Sequence, residues 1–142
     1  RFEQDVLPLH PVNLLILTGS NSVRADTITA EDVIGDLDAI QKKCLAHGIR
    51  PILLTLLPLN PERIFLATHT ETDPAWQGKL NKVNTWIRSQ EFYVDMEPYF
   101  YDSQKHILNP LLSTDGLHPD IDGKRMMAEI INAHRHLFRE LS

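Results

Sequence analysis

Hydrophobic positions along the chain form two kinds of pattern, and the first is a continuous apolar run. Residues 12–19 read VNLLILTG, residues 51–58 read PILLTLLP, and residues 92–96 form a shorter run, FYVDM. Runs of this length are typical of strands buried on both faces, in a parallel sheet covered by helices. The sequence therefore predicts three strands of one sheet.

The second pattern repeats at helical spacing. Two stripes have apolar residues 4, 3 and 4 positions apart: Val33, Leu37, Ile40 and Cys44 in one, and Trp76, Leu80, Val83 and Ile87 in the other. Each stripe predicts a helix with one buried face. Thr29 followed by Asp32 predicts the start of the first helix as an imperfect capping box, because Glu or Gln is the usual partner. Gly48 predicts its end.

A last helix is predicted from Asp122 to Leu141, with an inner face formed by Met127, Ile130, Ile131, His134, Leu137 and Phe138. Residues 59–75 and 97–114 are predicted to be irregular. The alternation of strands and helices predicts an α/β fold with three layers, α/β/α, and right-handed crossovers around a parallel sheet. The 142 residues contain no internal linker, so residues 1–142 are expected to form a single domain.

The first predicted strand is apolar at nearly every position, as strands in a sheet interior are. An unpaired apolar edge favours aggregation. With only three strands available, we expect a missing N-terminal segment, a second chain or a swapped copy to pair with the strand from Val12 to Thr18. Arg1 is not an initiator methionine, and the residues after it lack the layout of a signal peptide, so we expect the chain to be a processed or truncated piece.

Composition argues against several classes of function. A net charge of -5 argues against a nucleic-acid partner, because no basic surface is available to neutralise phosphates. No apolar run has the length of about 20 residues that spans a bilayer. Cys44 is the only cysteine, which excludes an internal disulfide and a cysteine-rich zinc site and slightly favours a cytoplasmic location.

The first chemical candidate is the segment Asp115-Gly-Leu-His118-Pro119. Pro119 disfavours helical geometry at His118, so the segment is predicted to be an extended loop. Such a loop can hold the Asp115 carboxylate against His118, fixing the imidazole tautomer and stabilising its protonated form. The alternative is a plain turn before the last helix, with Asp120 or Asp122 as its cap.

The second candidate is the turn Gly19-Ser20-Asn21 after the first strand. This turn can expose backbone N–H groups and the Asn21 side-chain amide, which is a donor suited to a developing oxyanion. Alternatively, Asn21 is present because it tolerates left-handed geometry in a tight turn. Ligands of open parallel sheets bind beyond the carboxyl ends of the strands, and both candidates are expected at that edge.

Together these segments resemble the SGNH hydrolases, also called GDSL-type lipases and esterases. LLILTGSNSV resembles the third block of that family, Gly-x-Asn-Asp, and STDGLHPDIDGKRMMAEI resembles its fifth block, Asp-x-x-His. The resemblance implies a flavodoxin-like SGNH hydrolase fold that is incomplete at its N-terminal side. It also implies that Asn21 is an oxyanion-hole donor, that His118 is the general base, and that Asp115 orients His118.

Gly19 and Ser20 would then belong to the substrate loop, and Ser22 departs from the family by replacing the aspartate after the asparagine. The first family block, Gly-Asp-Ser, carries the nucleophilic serine and would lie upstream of Arg1, on a strand that pairs with the one from Val12 to Thr18. Ser20 is the internal alternative, but it lacks the strand–turn–helix Gly-x-Ser-x-Gly elbow.

The expected function is therefore that of a serine ester hydrolase acting on a small-molecule ester or acylated substrate by acyl transfer. The nucleophile would be supplied from upstream, and no cofactor is implied. A metal site of His118, Asp120 and Asp122 is conceivable, but the intervening proline and the following glycine favour turn geometry, so no metal is expected. The alternative is a non-catalytic α/β scaffold that binds a partner or a carbohydrate.

Overall fold

The computed structural model describes residues 1–141 and contains a parallel sheet of three strands. The strands are β1 (Asn13–Ile16), β2 (Arg50–Leu54) and β3 (Tyr93–Val94), in the order β1-β2-β3. In the register of the sheet, Leu15 lies opposite Ile52, and β2 pairs with β3 on its other side. The three predicted strands are confirmed, each shorter than its apolar run.

Five α-helices surround the sheet: α1 (Ser20–Val23), α2 (Ala30–Ala46), α3 (Pro61–Thr68), α4 (Trp76–Arg88) and α5 (Ile121–Ala133). Shorter turns are a π-helix at Phe2–Val6 and 3₁₀ turns at Leu7–Leu9, Glu97–Tyr99 and Arg135–Leu137. Within residues 1–141, no helix is both long enough and apolar enough to cross a membrane.

Successive residues of β2 point to opposite faces of the sheet and so belong to two hydrophobic cores. Leu53 packs in the core that α2 and α4 cover, with Leu37 and Leu80. Its neighbour Ile52 packs in the core that α5 covers, together with Ile130. The predicted three-layer α/β/α arrangement is thereby confirmed.

The predicted start of α2 is also confirmed. The Asp32 N–H donates to Thr29 Oγ1 over 3.1 Å, and the Thr29 N–H donates to Asp32 Oδ2 over 2.9 Å. Aspartate thus completes the capping box in place of the usual glutamate. At the other end, Gly48 has a φ of +70° and turns the chain towards β2.

α3 corrects the prediction that residues 59–75 are irregular. Asn60 caps this helix, its Oδ1 accepting the Arg63 N–H over 3.4 Å, and Pro61 is the first helical residue. Proline is favoured at that position because its ring presets the helical φ and it lacks a donor that would be unpaired there. The sequence Asn-Pro-Glu contained this signal.

The last helix is shorter than predicted and ends at Ala133 instead of Leu141. His134 leaves helical geometry, and its Nδ1 forms a hydrogen bond of 2.7 Å with the Ile130 carbonyl. Beyond it, the Asn13 side chain pairs with both the N–H and the carbonyl of Arg139. This pairing fastens the residues after the Arg135–Leu137 turn to the start of β1.

β1 is an edge strand, whereas its apolar sequence predicted an interior one. Among residues 1–141, β2 is its only strand neighbour, so Leu15 and Leu17 remain 38% and 36% exposed. An apolar cleft of about 460 Å³ runs along β1, with Phe2 and Ile40 on its other walls. The described chain does not itself cover this edge.

A buried amide on α4 holds the chain beyond the end of β2. Asn84 is fully buried, its Oδ1 accepting the Leu56 N–H over 2.7 Å. Its Nδ2 donates to the Leu56 carbonyl over 3.0 Å and to Glu97 Oε1 over 2.8 Å. Arg88 donates to the same Glu97 oxygen over 2.8 Å. Asn84 therefore satisfies backbone groups that β2 leaves unpaired after its last residue.

We expect Asn84→Leu to lower the free energy of unfolding by at least about 2 kcal/mol, because it leaves the buried N–H and carbonyl of Leu56 without a partner and removes one donor from Glu97 Oε1. Urea denaturation measures this change. Asn81→Leu is the matched control, since Asn81 is exposed on the same helix. Equal effects of the two substitutions would contradict the role of Asn84.

Candidate functional site

Asp115 and His118 form a pair in the loop before α5. Asp115 Oδ2 lies 2.8 Å from His118 Nδ1. The other carboxylate oxygen, Oδ1, accepts the backbone N–H groups of Leu117 over 2.8 Å and of His118 over 2.7 Å. One side chain therefore both shapes the loop and orients the imidazole that the loop carries.

Ser113 stabilises the same loop through hydrogen bonds of its side chain. It was not among the residues predicted to belong to the site. Its buried hydroxyl donates to the His118 carbonyl over 2.6 Å and accepts the Gly116 N–H over 3.0 Å. Ser113 Oγ also lies 3.3 Å from Asp115 Oδ1. The sequence signal was a serine two positions before an aspartate, which is a frequent turn composition and points to no particular role.

Gly116 allows this loop to lie against α3. Its φ is +82°, and a Cβ there would lie 2.5 Å from the Asn60 carbonyl oxygen and 2.8 Å from Arg63 Cβ. The Asn60 N–H in turn donates to the Gly116 carbonyl over 2.9 Å. The glycine between Asp115 and His118 thus serves both a left-handed backbone and a close contact.

The pKa of Asp115 reflects these contacts. Partial burial raises it, but the hydrogen bonds from the His118 backbone N–H, the His118 ring and the Leu117 N–H outweigh burial and lower the pKa to about 2 from an ordinary value of 3.8. Asp115 is therefore a carboxylate near neutral pH and can only accept hydrogen bonds. It follows that His118 donates through Nδ1 and keeps Nε2 free as the basic nitrogen.

Asn21 lies in α1, one helical turn, so the alternative in which Asn21 takes left-handed geometry in a tight turn does not apply. Gly19 precedes the helix with a φ of +121°, and a Cβ there would lie 2.9 Å from Val33 Cγ1. The Val23 N–H closes the turn on the Gly19 carbonyl over 2.9 Å. The residue with a positive φ is thus Gly19, and Asn21 is exposed on the helix.

One cleft joins the two segments. It has a volume of about 210 Å³, and its lining residues are Leu17, Thr18, Gly19, Ser20, Asn21, Leu57, Leu117, His118 and Pro119. The structure therefore brings Asn21 and His118 to a common space at the carboxyl ends of β1 and β2. Gly19 and Ser20 also line this cleft, and Leu17 lines both this cleft and the apolar cleft along β1.

The remaining candidates have structural partners. Asp120 caps α5, its Oδ1 accepting the Gly123 N–H over 3.0 Å, and Asp122 pairs with Arg125 at 3.3 Å. Over residues 1–141, no group of three His, Cys, Asp or Glu side chains is arranged to hold a metal ion. Asp120 therefore caps the helix as the turn interpretation predicts. Asp115 and His118 form their pair in the same loop, so the two interpretations concern different residues and both hold.

No family model and no curated protein matches the sequence, but solved structures do match. A Bacteroides fragilis protein assigned to the acylhydrolases superposes with a TM-score of 0.78 at 22% identity, covering 96% of this chain and 68% of that protein. A GDSL-like lipase from Bacteroides thetaiotaomicron gives 0.76 at 23%, covering 94% and 66%. A catalytic mutant of an acetylxylan esterase from Geobacillus stearothermophilus gives 0.69 at 19%, covering 99% and 68%.

At these identities, the comparisons establish a shared fold. They confirm the fold that the sequence resemblance implied, with nearly all of this chain included in each superposition. The chain spans about two thirds of the length of each of these proteins.

We expect Gly116→Ala to destabilise the protein by more than about 1 kcal/mol, because alanine is strained at positive φ and its methyl group meets the Asn60 carbonyl. Gly35→Ala is the matched control: a Cβ at this α2 position meets no atom within 4 Å, and the gain in helix propensity predicts equal or higher stability. Chemical denaturation measures both. A neutral Gly116→Ala would contradict the close contact.

The stability that Asp115 contributes is expected to depend on pH. Because its pKa is lower in the folded state, ionised Asp115 stabilises the fold above an ordinary pKa of 3.8, and this stability is lost as the pH falls towards about 2. Carbon-13 NMR of the Asp115 carboxyl in a pH titration measures the folded-state pKa. A midpoint at or above 3.8 would contradict the hydrogen bonding of the loop.

Proposed function

We propose that this chain, which has the fold of the SGNH hydrolases, is the C-terminal part of the single domain of a serine ester hydrolase. The observation that supports this proposal best is the cleft shared by Asn21 and His118. An imidazole oriented by a carboxylate and an exposed amide donor both line this cleft. Acyl transfer requires this combination, a general base beside a donor for the oxyanion.

In the proposed mechanism, His118 Nε2 accepts the proton of a serine hydroxyl as the serine oxygen attacks the ester carbonyl. The Nδ1–H of the resulting imidazolium stays hydrogen-bonded to the Asp115 carboxylate, which stabilises its positive charge. The Asn21 amide donates to the negative oxygen of the tetrahedral intermediate. His118 then protonates the leaving alcohol, and a water activated by the same nitrogen hydrolyses the acyl-enzyme.

The nucleophile is proposed to come from sequence upstream of Arg1. The open side of β1 can accept a further parallel strand, and the apolar cleft beside Leu15 and Leu17 is suited to the side chains of such a segment. A strand paired there would end at the same sheet edge as β1, beside His118. The structures that share the fold are longer than this chain by about a third of their length, which is room for such a segment.

The second candidate is a non-catalytic scaffold that binds a partner or a carbohydrate. Within residues 1–141, His118 makes no side-chain hydrogen bond to a serine hydroxyl, and Ser20 shares its cleft without contacting the imidazole at hydrogen-bonding distance. The chain by itself therefore has the base and the donor without an engaged nucleophile.

Hydrolysis of p-nitrophenyl acetate distinguishes the two functions when it is measured on this chain and on a form that includes the sequence encoded upstream of Arg1. We expect activity only in the extended form. There, Asp115→Asn should lower kcat about 10⁴-fold, and Asn21→Ala about 10²–10³-fold. His118→Ala should abolish turnover, because no other group in the cleft can take the serine proton.

Ser20→Ala tests the internal alternative: because Ser20 lines the cleft, its loss can change KM, but the extended form should keep a turnover far above that of His118→Ala. Activity of the chain as given that is lost in Ser20→Ala would instead identify an internal nucleophile. An extended form that binds acylated sugars without hydrolysing any ester would favour the scaffold.

A further inference from the structure

α1 carries Asn21 but is too short to be stable by itself. It consists of four residues, Ser20–Val23, and a single helical turn costs more conformational entropy than its hydrogen bonds return. Ser22, which stands where the SGNH pattern has aspartate, makes no side-chain hydrogen bond within residues 1–141. The buried Val23 side chain anchors one face. Something else must hold the C-terminal end of the turn.

Lys79 of α4 holds that end. Its ammonium group donates to the Ala25 carbonyl over 2.7 Å and to the Ile28 carbonyl over 2.8 Å, and it pairs with Asp73 Oδ2 at 2.6 Å. A lysine has three donors, and here each has an acceptor. The Lys79 and Asp73 side chains are both only 14% exposed, so water competes little for these bonds.

The loop before α4 also bonds to the segment that follows α1. The Asp73 backbone N–H donates to the Arg24 carbonyl over 2.9 Å. The Arg24 guanidinium reaches back to Thr70 Oγ1, where its Nη2 lies 2.5 Å away. The Lys79 ammonium and the Ala75 N–H also hold the pKa of Asp73 below its ordinary value, so the ion pair is present at neutral pH. The segment after α1 is thus bonded to both the loop and α4.

We propose that Lys79 and Asp73 are positioning residues that fix α1, and with it the Asn21 amide, relative to His118. They fasten the segment that follows α1, whereas the Ser22 side chain within α1 forms no hydrogen bond among the described residues. The inference rests on the proposed role of Asn21 as the oxyanion donor, but the bracing itself can be tested without any activity. The positioning acts through main-chain carbonyls, so neither Lys79 nor Asp73 needs to touch the substrate.

Amide hydrogen exchange on the chain as given tests the bracing. In Lys79→Met, exchange at the Val23 and Arg24 amides should accelerate about tenfold or more, the effect expected from losing buried charge-assisted hydrogen bonds. Exchange at Leu53 in β2 should not change. Lys82→Met is the matched control, because Lys82 lies on the same helix, is 69% exposed and makes only a long ion pair with Glu31.

Asp73→Asn provides a second variant, since it removes the charge of the pair while keeping an acceptor oxygen for the Ala75 N–H. It should accelerate exchange at the same amides, which keeps the test valid if Lys79→Met unfolds. Unchanged exchange at Val23 and Arg24 in a folded Lys79→Met or Asp73→Asn variant would overturn the bracing.

A double-mutant cycle in the extended form tests the link to Asn21. If Lys79 acts through Asn21, Lys79→Met should lower kcat for p-nitrophenyl acetate with little change in KM, and it should lower kcat no further in an Asn21→Ala background. Additive losses would overturn the link while leaving the exchange result intact. An inactive extended form would count against the proposed function alone, because the exchange measurements do not depend on it.

Discussion

The candidate site depends on the two oxygens of the Asp115 carboxylate, which accept hydrogen bonds from different groups. One oxygen accepts two backbone N–H groups of its own loop, and the other accepts the His118 ring. The imidazole can therefore be held only if the loop has this shape, and the shape requires Gly116 against Asn60. The cap of α3 and the orientation of His118 are linked in this way, so a helix that does not line the proposed site helps to orient the proposed base.

The candidate site also requires its two segments to lie close together, and the parallel sheet brings them to one edge. Because β1 and β2 run in the same direction, the turn after β1 and the loop packed beyond β2 meet at one edge. The same arrangement leaves the outer side of β1 unpaired within the described chain, with leucines exposed along it. The proposed catalytic half-site and the uncovered edge lie side by side and share Leu17. We therefore regard them as two parts of one proposed arrangement, in which a strand that covers the edge also supplies the hydroxyl.

Much of the fold could be predicted from local patterns, since each pattern reflects a local physical cause. The stripes of α2 and α4 and the capping box at Thr29 depend on residues three or four positions apart. The missed helix α3 also had a local signal, the Asn60 cap followed by Pro61, whereas distant groups contact the chain beside the other two departures. After α5 ends at Ala133, Asn13, which is more than a hundred residues away, pairs with Arg139. The turn predicted after β1 continues as the helical turn α1, and Lys79 of a later helix binds the carbonyls that follow it.

The sequence by itself determined the α/β class, the two candidate segments and the open outer side of β1 within residues 1–141, because these follow from hydrophobic spacing and from residue types close together in the chain. Only the tertiary structure decided that Ser113 locks the loop, that Gly116 is needed against α3, and that Lys79 and Asp73 hold the end of α1. These contacts join residues whose separation along the chain carries no pattern. Their energies arise from burial and hydrogen-bond geometry, which exist only once the layers have packed.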